Sequence, residues 1–214
     1  MGHSSQPVFY YDLADPISYL AAERINGSLA VVAEWEPVLG ARVGVAPAPI
    51  DRAAVEQQAR DLGALSFRWR PRGDFGGHVA AKGGPPGGVP EPANGTTAAL
   101  AATYAKQVGR VVAFSLAAFR QAFAGGHDLD DENTVLLAAA ACELHPRAVL
   151  QAVSRAAIDE ALERACDRAR LRGVAELPAI EAGGSLFSGA DAVEQAAEAI
   201  GRRPLSRLGD LRHT

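Results

Sequence analysis

The sequence has little cysteine: among its 214 residues, only Cys142 and Cys166 carry a thiol. Both lie in helical sequence and far apart, so they match neither a CxxC redox pair nor a zinc ligand cluster. A free cysteine of this kind usually packs as a small hydrophobic side chain. We therefore predict that both thiols are buried in the core and that the chain performs no dithiol–disulfide exchange.

Positive charge is not in excess either. The chain has 21 Lys and Arg against 25 Asp and Glu residues, a formal net charge of −4, which disfavours a nucleic-acid partner. No apolar stretch reaches the roughly 20 residues needed to span a bilayer, and residues 1–7 lack the features of a signal peptide. These absences predict a cytoplasmic protein that binds a small molecule and has no membrane contact.

Motifs for metals and phosphates are also missing. The five histidines are scattered without the spacing of metal ligands. Lys82 lies in a glycine-rich run, but it lacks the preceding glycine and the following Ser or Thr of a phosphate-binding loop. The sequence therefore predicts no metal site.

The first 40 residues predict a β-α-β unit. Residues 8–12 form a short β-branched and aromatic run that is typical of a strand. Asp15 and Pro16 are a favoured N-cap and first helical residue, and the following helix ends near Asn26-Gly27. Residues 31–39 supply a second strand, which a helical crossover makes parallel to the first.

A helical block follows. Asp51 caps a helix that carries Val55, Ala59 and Leu62 on one face and is terminated by Gly63. Residues 71–95 are rich in glycine and proline and predict a long loop, for which a lid over a site is one hypothesis. Residues 96–172 predict four or five further helices.

The last part of the chain returns to strands. Residues 177–180 and 185–187, joined by Gly183-Gly184, predict an antiparallel hairpin, and a helix from Asp191 to Ile200 closes the chain. The order β-α-β, helices, β-β-α predicts an α/β, thioredoxin-like fold with a large all-helical insertion. Residues 1–50 and 173–214 form the thioredoxin-like lobe, and residues 51–172 form the insertion, with the Gly/Pro-rich loop at 71–95.

Four motifs sharpen this interpretation: residues 11–20 (YDLADPISYL), 35–39 (WEPVL), 172–178 (RGVAELP) and 186–191 (LFSGAD). With them the chain resembles the DsbA-like thioredoxin superfamily, in the branch of 2-hydroxychromene-2-carboxylate isomerases and kappa-class glutathione transferases. The resemblance implies a cis peptide bond before Pro178 and a Leu177 backbone that binds glutathione or a peptide. It also implies that Asp191 contacts the γ-glutamyl end of glutathione.

The chain departs from that branch at three places. Asp15 stands where the branch has the serine that supports the glutathione thiolate. Residues 44–47 (GVAP) replace a loop that commonly carries asparagine, and Ala192 stands where many relatives have arginine. Glutathione is therefore a cofactor implied by the resemblance, and we expect its binding to be weak.

Two residues at the start of the first helix are candidate catalytic groups. Asp15 could act as a general base or substrate anchor in a cleft beside Pro178, and Ser18 could add a hydroxyl to that cleft. The structural alternative is that Asp15 is only the helix N-cap and Ser18 its capping support. Hydrogen bonds and the helix dipole would then lower the pKa of the carboxyl and weaken it as a base.

Further candidates concern substrate binding. Tyr11 could line the cleft, although an aromatic residue in a first strand is more often part of the core. Arg68 and Arg70, in a basic and aromatic run, could clamp a carboxylate by bidentate hydrogen bonds, or form a solvated edge over a packed tryptophan. Asp191 could cap the last helix or contact a ligand.

Two functions remain open at this point. The first is an isomerase or transferase-like enzyme that acts on a small aromatic carboxylate in a cleft between the two lobes. The alternative is a non-catalytic binding or assembly module that keeps the cis-proline groove, and the loss of serine, asparagine and arginine together favours it. A homodimer is compatible with both.

The missing cysteine pair generates a first prediction. The protein will reduce insulin or form disulfides no faster than a generic free thiol, because exchange needs an accessible thiolate and a resolving cysteine. An insulin turbidity assay measures this. Turnover that disappears in Cys142→Ala or Cys166→Ala would contradict the prediction.

Overall fold

The computed structural model describes residues 6–46, 50–69 and 95–201. Four short strands form one sheet in the order β2-β1-β3-β4: β1 (Val8–Tyr11), β2 (Glu34–Pro37), β3 (Ala179–Ala182) and β4 (Ser185–Ser188). The helices within these residues are α1 (Pro16–Ser28), α2 (Gly40–Val43), α3 (Arg52–Asp61), α4 (Thr96–Gln107), α5 (Val111–Phe123), α6 (Glu132–Ala141), α7 (Pro146–Val153), α8 (Ala156–Leu171) and α9 (Ala192–Gly201).

Strand β1 lies inside the sheet and links the two ends of the chain. It pairs in parallel with β2, with Phe9 opposite Trp35, and antiparallel with β3, with Phe9 opposite Ile180. Strands β3 and β4 form the antiparallel hairpin. This topology confirms the predicted α/β, thioredoxin-like fold, in which the β-α-β and β-β-α parts share one sheet.

Two local predictions were wrong. The second strand is confined to Glu34–Pro37, because Val31 and Val32 lie before it at the surface, with Val32 75% exposed. Leu62 is 40% exposed and does not belong to the buried face of α3. The helix ends at Asp61, so Leu62 is its C-cap and no longer follows the helical periodicity.

The five helices α4 to α8 lie in residues 96–171, which agrees with the predicted four or five. Phe114 and Phe119 of α5 are fully buried in the same core as Phe9 and Trp35. The Tyr11 hydroxyl and the Ser115 hydroxyl are 2.6 Å apart, so a buried hydrogen bond also joins β1 to α5. The helical block and the sheet therefore share a hydrophobic core.

Both cysteines are buried, which confirms their predicted place. Cys142 packs with α6, and Cys166 packs against Leu39, whose backbone N–H donates to the thiol at 3.5 Å. Burial raises the pKa of both thiols. Neither cysteine therefore presents a reactive thiolate.

The predicted loop and possible lid at residues 71–95 lie outside the described residues except for Gly95, and the candidate Arg70 lies outside them as well. Within the described ranges, no helix is long and apolar enough to cross a membrane. Over the same ranges, no three His, Cys, Asp or Glu side chains come together as a set of metal ligands.

Candidate functional site

Asp15 is the N-cap of α1. Its backbone is extended, and Pro16 takes the first helical position, where a missing N–H costs nothing. The carboxylate accepts hydrogen bonds from the backbone N–H groups of Ile17 (3.2 Å) and Ser18 (2.7 Å). The Ser18 hydroxyl donates a third bond to the same carboxylate at 2.6 Å.

A second carboxylate lies immediately before this cap. Asp12 accepts hydrogen bonds from the backbone N–H groups of Ala14 (2.8 Å) and Gly40 (2.7 Å). Its own backbone N–H donates to the Ser18 hydroxyl at 3.4 Å. Ser18 therefore lies between the two aspartates, accepts from one and donates to the other.

Burial changes the acidity of both aspartates. It raises the pKa of Asp12 to about 6, although the bonds from Gly40 and Ala14 act in the opposite direction and the charges of Asp15 and Asp130 add to the rise. Burial also raises the pKa of Asp15 above its usual value, against three hydrogen bonds that lower it. The expectation of a lowered Asp15 pKa was therefore wrong, because desolvation outweighs capping here.

Ser18 has no exposed surface. Its hydroxyl is committed to Asp15 and to the Asp12 backbone, so it does not face a cleft in this conformation. Tyr11 is also fully buried, stacked on Phe9 and bonded to Ser115. Both side chains hold the site from inside the fold and offer no surface to a ligand.

The expected cis bond is present between Leu177 and Pro178, and both residues are buried. Gly40 connects this segment to the aspartates. A Cβ atom at Gly40 would lie 3.4 Å from the Asp12 carboxylate and 3.6 Å from the Leu177 side chain. The predicted Leu177-Pro178 segment therefore packs beside Asp12.

Asp191 lies exposed just before α9, where its backbone carbonyl accepts from Gln195 N–H.

A cleft of about 210 Å³ opens beside the start of α1. Ala14 and Pro16, the two neighbours of Asp15 in sequence, form one part of its wall. The remainder is aromatic, aliphatic and basic: Ile50, Arg52, Arg68, Trp69, Gly95, Ala122, Phe123, His127 and Leu129. Such a lining suits a flat apolar ligand that carries negative charge.

Gly95 shows how closely the helices approach α1. It is the N-cap of α4 with a φ of +65°, and a Cβ atom there would lie 3.5 Å from the Ala14 Cβ. Asp130 accepts hydrogen bonds from the N–H groups of Gly95 (3.2 Å) and Thr97 (3.1 Å). The loop between α5 and α6 thereby fixes the start of α4 against the site.

The sequence-predicted residues thus fall into two groups. Asp15 and Ser18 meet at the start of α1, whereas Arg68 lines the cleft. The expected cleft beside Pro178 is corrected, because this cleft is lined by neither Asp15 and Ser18 nor Leu177 and Pro178. Sequence reasoning missed Asp12, Arg52, Phe123 and His127. Asp12 had a local signal, because an aspartate that ends a strand before an Asp-Pro cap can bond to nearby N–H groups. The other three reach the cleft only through tertiary packing.

Comparisons with known proteins agree with this architecture. A family model for the DSBA-like thioredoxin domain matches residues 8–201. No curated protein sequence is similar enough to match the chain.

Three solved structures illustrate the range of similar folds. A 2-hydroxychromene-2-carboxylate isomerase is 18% identical with a TM-score of 0.74, over 92% of this chain and 94% of its own. A probable DsbA oxidoreductase from Streptomyces coelicolor is 17% identical with a TM-score of 0.68, over 97% and 95%. The cytosolic disulfide reductase DsbM from Pseudomonas aeruginosa is 16% identical with a TM-score of 0.55, over 92% and 95%. At these identities the likeness shows the fold.

The raised pKa of Asp12 predicts a pH dependence of stability. Its folded pKa lies above that of an unfolded aspartate, so the folded state binds the proton more tightly and this group adds stability as the pH falls. We expect the free energy of unfolding to gain on the order of 1 kcal/mol from Asp12 between pH 7 and pH 5.

Urea denaturation at the two pH values, with Asp12→Asn and the exposed cap variant Asp131→Asn as control, measures this gain. Carboxyl carbon NMR should give a midpoint near 6 for Asp12. An Asp12 midpoint near 4, or an equal pH response in Asp12→Asn and wild type, would contradict it.

Proposed function

Because the chain belongs to the DsbA-like thioredoxin family and has no cysteine pair, we propose that it is a thiol-independent isomerase. In this proposal a small aromatic carboxylate occupies the cleft beside α1, and the Asp15 carboxylate moves a proton on it. The family membership establishes the fold and ancestry, and the substrate and reaction are the proposal.

One observation carries the proposal: a carboxylate with a raised pKa is flanked by two residues that line an aromatic cleft. An aspartate of ordinary pKa is a weak base at neutral pH. A raised pKa brings the group closer to the operating pH, where general bases are most effective. Raised carboxyl pKa values also concentrate at catalytic sites.

The lining of the cleft supports the substrate class. The rings of Trp69 and Phe123 offer apolar contact for an aromatic ligand, and the guanidinium groups of Arg52 and Arg68 offer positive charge for a carboxylate. A structural neighbour is a 2-hydroxychromene-2-carboxylate isomerase, whose substrate is such a molecule. The argument from the cleft does not depend on the low sequence identity, because the lining residues are those of this chain.

The reaction needs no redox partner. Asp15 accepts a proton from one atom of the substrate and returns it to another, so that bonds rearrange and the composition of the substrate is unchanged. Ser18 acts as a positioning residue, because its buried hydroxyl holds the Asp15 carboxylate at 2.6 Å. Glutathione has no role in this scheme. A cytosolic location stays a prediction.

Activity tests the role of Asp15. We expect the purified protein to isomerise 2-hydroxychromene-2-carboxylate without glutathione, and Asp15→Asn to lower kcat about 100-fold or more, the usual loss of a general base. Asparagine is also a favoured N-cap, so the helix should persist. Asp131→Asn, the same change at the cap of α6, is the matched control.

Absorbance of the substrate follows the reaction. An Asp15→Asn variant as active as wild type would remove Asp15 as the base. Binding of the substrate with no turnover by the wild type would contradict the isomerase and favour the non-catalytic binding module.

Glutathione binding gives a separate prediction: the wild type will bind it poorly, and Asp15→Ser will bind it more tightly. A thiolate at the start of α1 would face the Asp15 carboxylate. Two like charges about 4 Å apart repel by roughly 4 kcal/mol at an effective dielectric near 20, whereas the helix dipole returns only about 0.3–1 kcal/mol.

Protonation of Asp15 would relieve the repulsion, but at the cost of its function as a base. Calorimetric titration of both proteins at neutral pH measures the difference. Micromolar binding by the wild type would overturn this argument, as would an Asp15→Ser variant that binds no more tightly than its parent.

A further inference from the structure

The first residue of α3, Arg52, has an unusual set of neighbours. Its guanidinium lies 4.9 Å from the centre of the Trp69 ring, a cation–π distance. Arg52 and Trp69 both line the cleft. The arginine therefore approaches the ligand space while its charged head is held against an aromatic wall.

Glu56 would be the expected partner of Arg52. The two residues are four positions apart on α3, the spacing at which opposite charges pair on a helix. Instead, Glu56 accepts a hydrogen bond from the Trp69 indole N–H at 2.6 Å and lies 4.0 Å from Arg60. Among the described residues, no carboxylate forms an ion pair with Arg52.

Two residues on one face of α3 thus contact Trp69. Glu56 fixes the indole N–H, and Arg52 lies against the ring, which also stacks on Phe67 at 4.9 Å. This arrangement holds the planar guanidinium in place without using its hydrogen-bond donors for a carboxylate. A cation oriented in this way loses less conformational freedom when an anion binds.

Arg68 differs in this respect. It also lines the cleft, and its backbone N–H is bound to the Phe123 carbonyl at 2.7 Å. Its side chain is exposed, as that of Arg52 is, but among the described residues no aromatic ring holds the Arg68 guanidinium. It can add positive charge to the cleft, but it is less well prepared for a bond of fixed geometry.

We propose that Arg52 is the carboxylate-anchoring residue of the cleft, with Trp69 and Glu56 as the residues that position it. The anchor binds the carboxylate of an aromatic ligand by two parallel N–H···O bonds, the geometry that a guanidinium offers and an ammonium does not. This inference rests on the substrate class of the proposed function, but it concerns binding and does not depend on turnover.

The test is calorimetric titration with cinnamate at neutral pH, and with cinnamamide as a neutral probe of the same shape. We expect Arg52→Gln and Arg52→Lys to weaken cinnamate binding about tenfold or more, the usual loss of a hydrogen-bonded charge pair. Arg68→Gln should change it less than about threefold. Arg164→Gln, an exposed arginine on α8, is the matched control for the loss of charge.

Variants of Glu56 distinguish the positioning of Arg52 from a general effect of charge on cinnamate affinity. Glu56→Gln keeps an acceptor for the Trp69 indole N–H and should bind cinnamate as the wild type does. Glu56→Ala removes the acceptor and should weaken binding several-fold. Cinnamamide affinity should stay the same in all these variants, because the amide lacks the charge that Arg52 recognises.

Each failure has its own meaning. An Arg52→Gln variant that binds cinnamate as tightly as wild type, or a larger loss in Arg68→Gln, would overturn the anchor. An Arg52→Lys variant with full affinity would overturn the bidentate geometry. Absence of cinnamate binding by the wild type would overturn the anchor as well. Cinnamate binding through Arg52 together with an inactive wild type would sustain the anchor and refute only the isomerase.

Discussion

The hydrogen bonds of the Asp12 carboxylate hold three elements together at the end of β1. One oxygen accepts from Ala14, just before α1, and the other accepts from Gly40, the first residue of α2. Both N–H groups lie where a helix begins, and the N–H groups at a helix start have no partner inside the helix. The geometry of the start of α1, and of the cleft wall at Ala14, therefore depends on a carboxylate that the fold itself desolvates.

That desolvation has a price in stability. The same hydrogen bonds that hold Asp12 and Asp15 favour their charged forms, yet burial raises the pKa of both groups. Each group is therefore less stable as an anion than it would be in water. A purely structural cap is better placed at the surface, as Asp51 is at the start of α3, where it bonds to two N–H groups and is exposed. The two aspartates at α1 are half-buried, and raised carboxyl pKa values such as theirs are frequent at catalytic sites.

The fold was largely predictable from local signals. Asp15 and Pro16 gave the start of α1, Asp51 gave the start of α3, and Gly183-Gly184 gave the hairpin, because capping and turn preferences act over a few residues. The errors came where tertiary burial determines whether a segment forms a strand or what pKa a side chain has. Val32 looks like a strand residue but lies exposed before β2, and the number of neighbours around Asp15, which set its pKa, has no sequence signature.

The candidate site was predictable only in part for the same reason. Asp15 is the N-cap of α1 and Ser18 lies three residues after it, so their contact follows from the spacing of a helix start. Arg68 was found through its basic and aromatic neighbours. Arg52 could not be found, since its sequence spacing favours an ion pair with Glu56, and only the packing of Trp69 against α3 redirects both side chains.

Asp15 at the start of α1 changes the capacity of this helix N-terminus to bind an anion. A helix N-terminus can stabilise an external anion with its free N–H groups. In this chain the N–H groups of Ile17 and Ser18 already bind the Asp15 carboxylate, so little of that capacity is left for a second anion. The position retains a proton acceptor, and positive charge for an anionic ligand must come from elsewhere. Arg52 and Arg68 line the cleft beside this helix start, so in the proposed function they bind the anionic ligand and Asp15 is the proposed base.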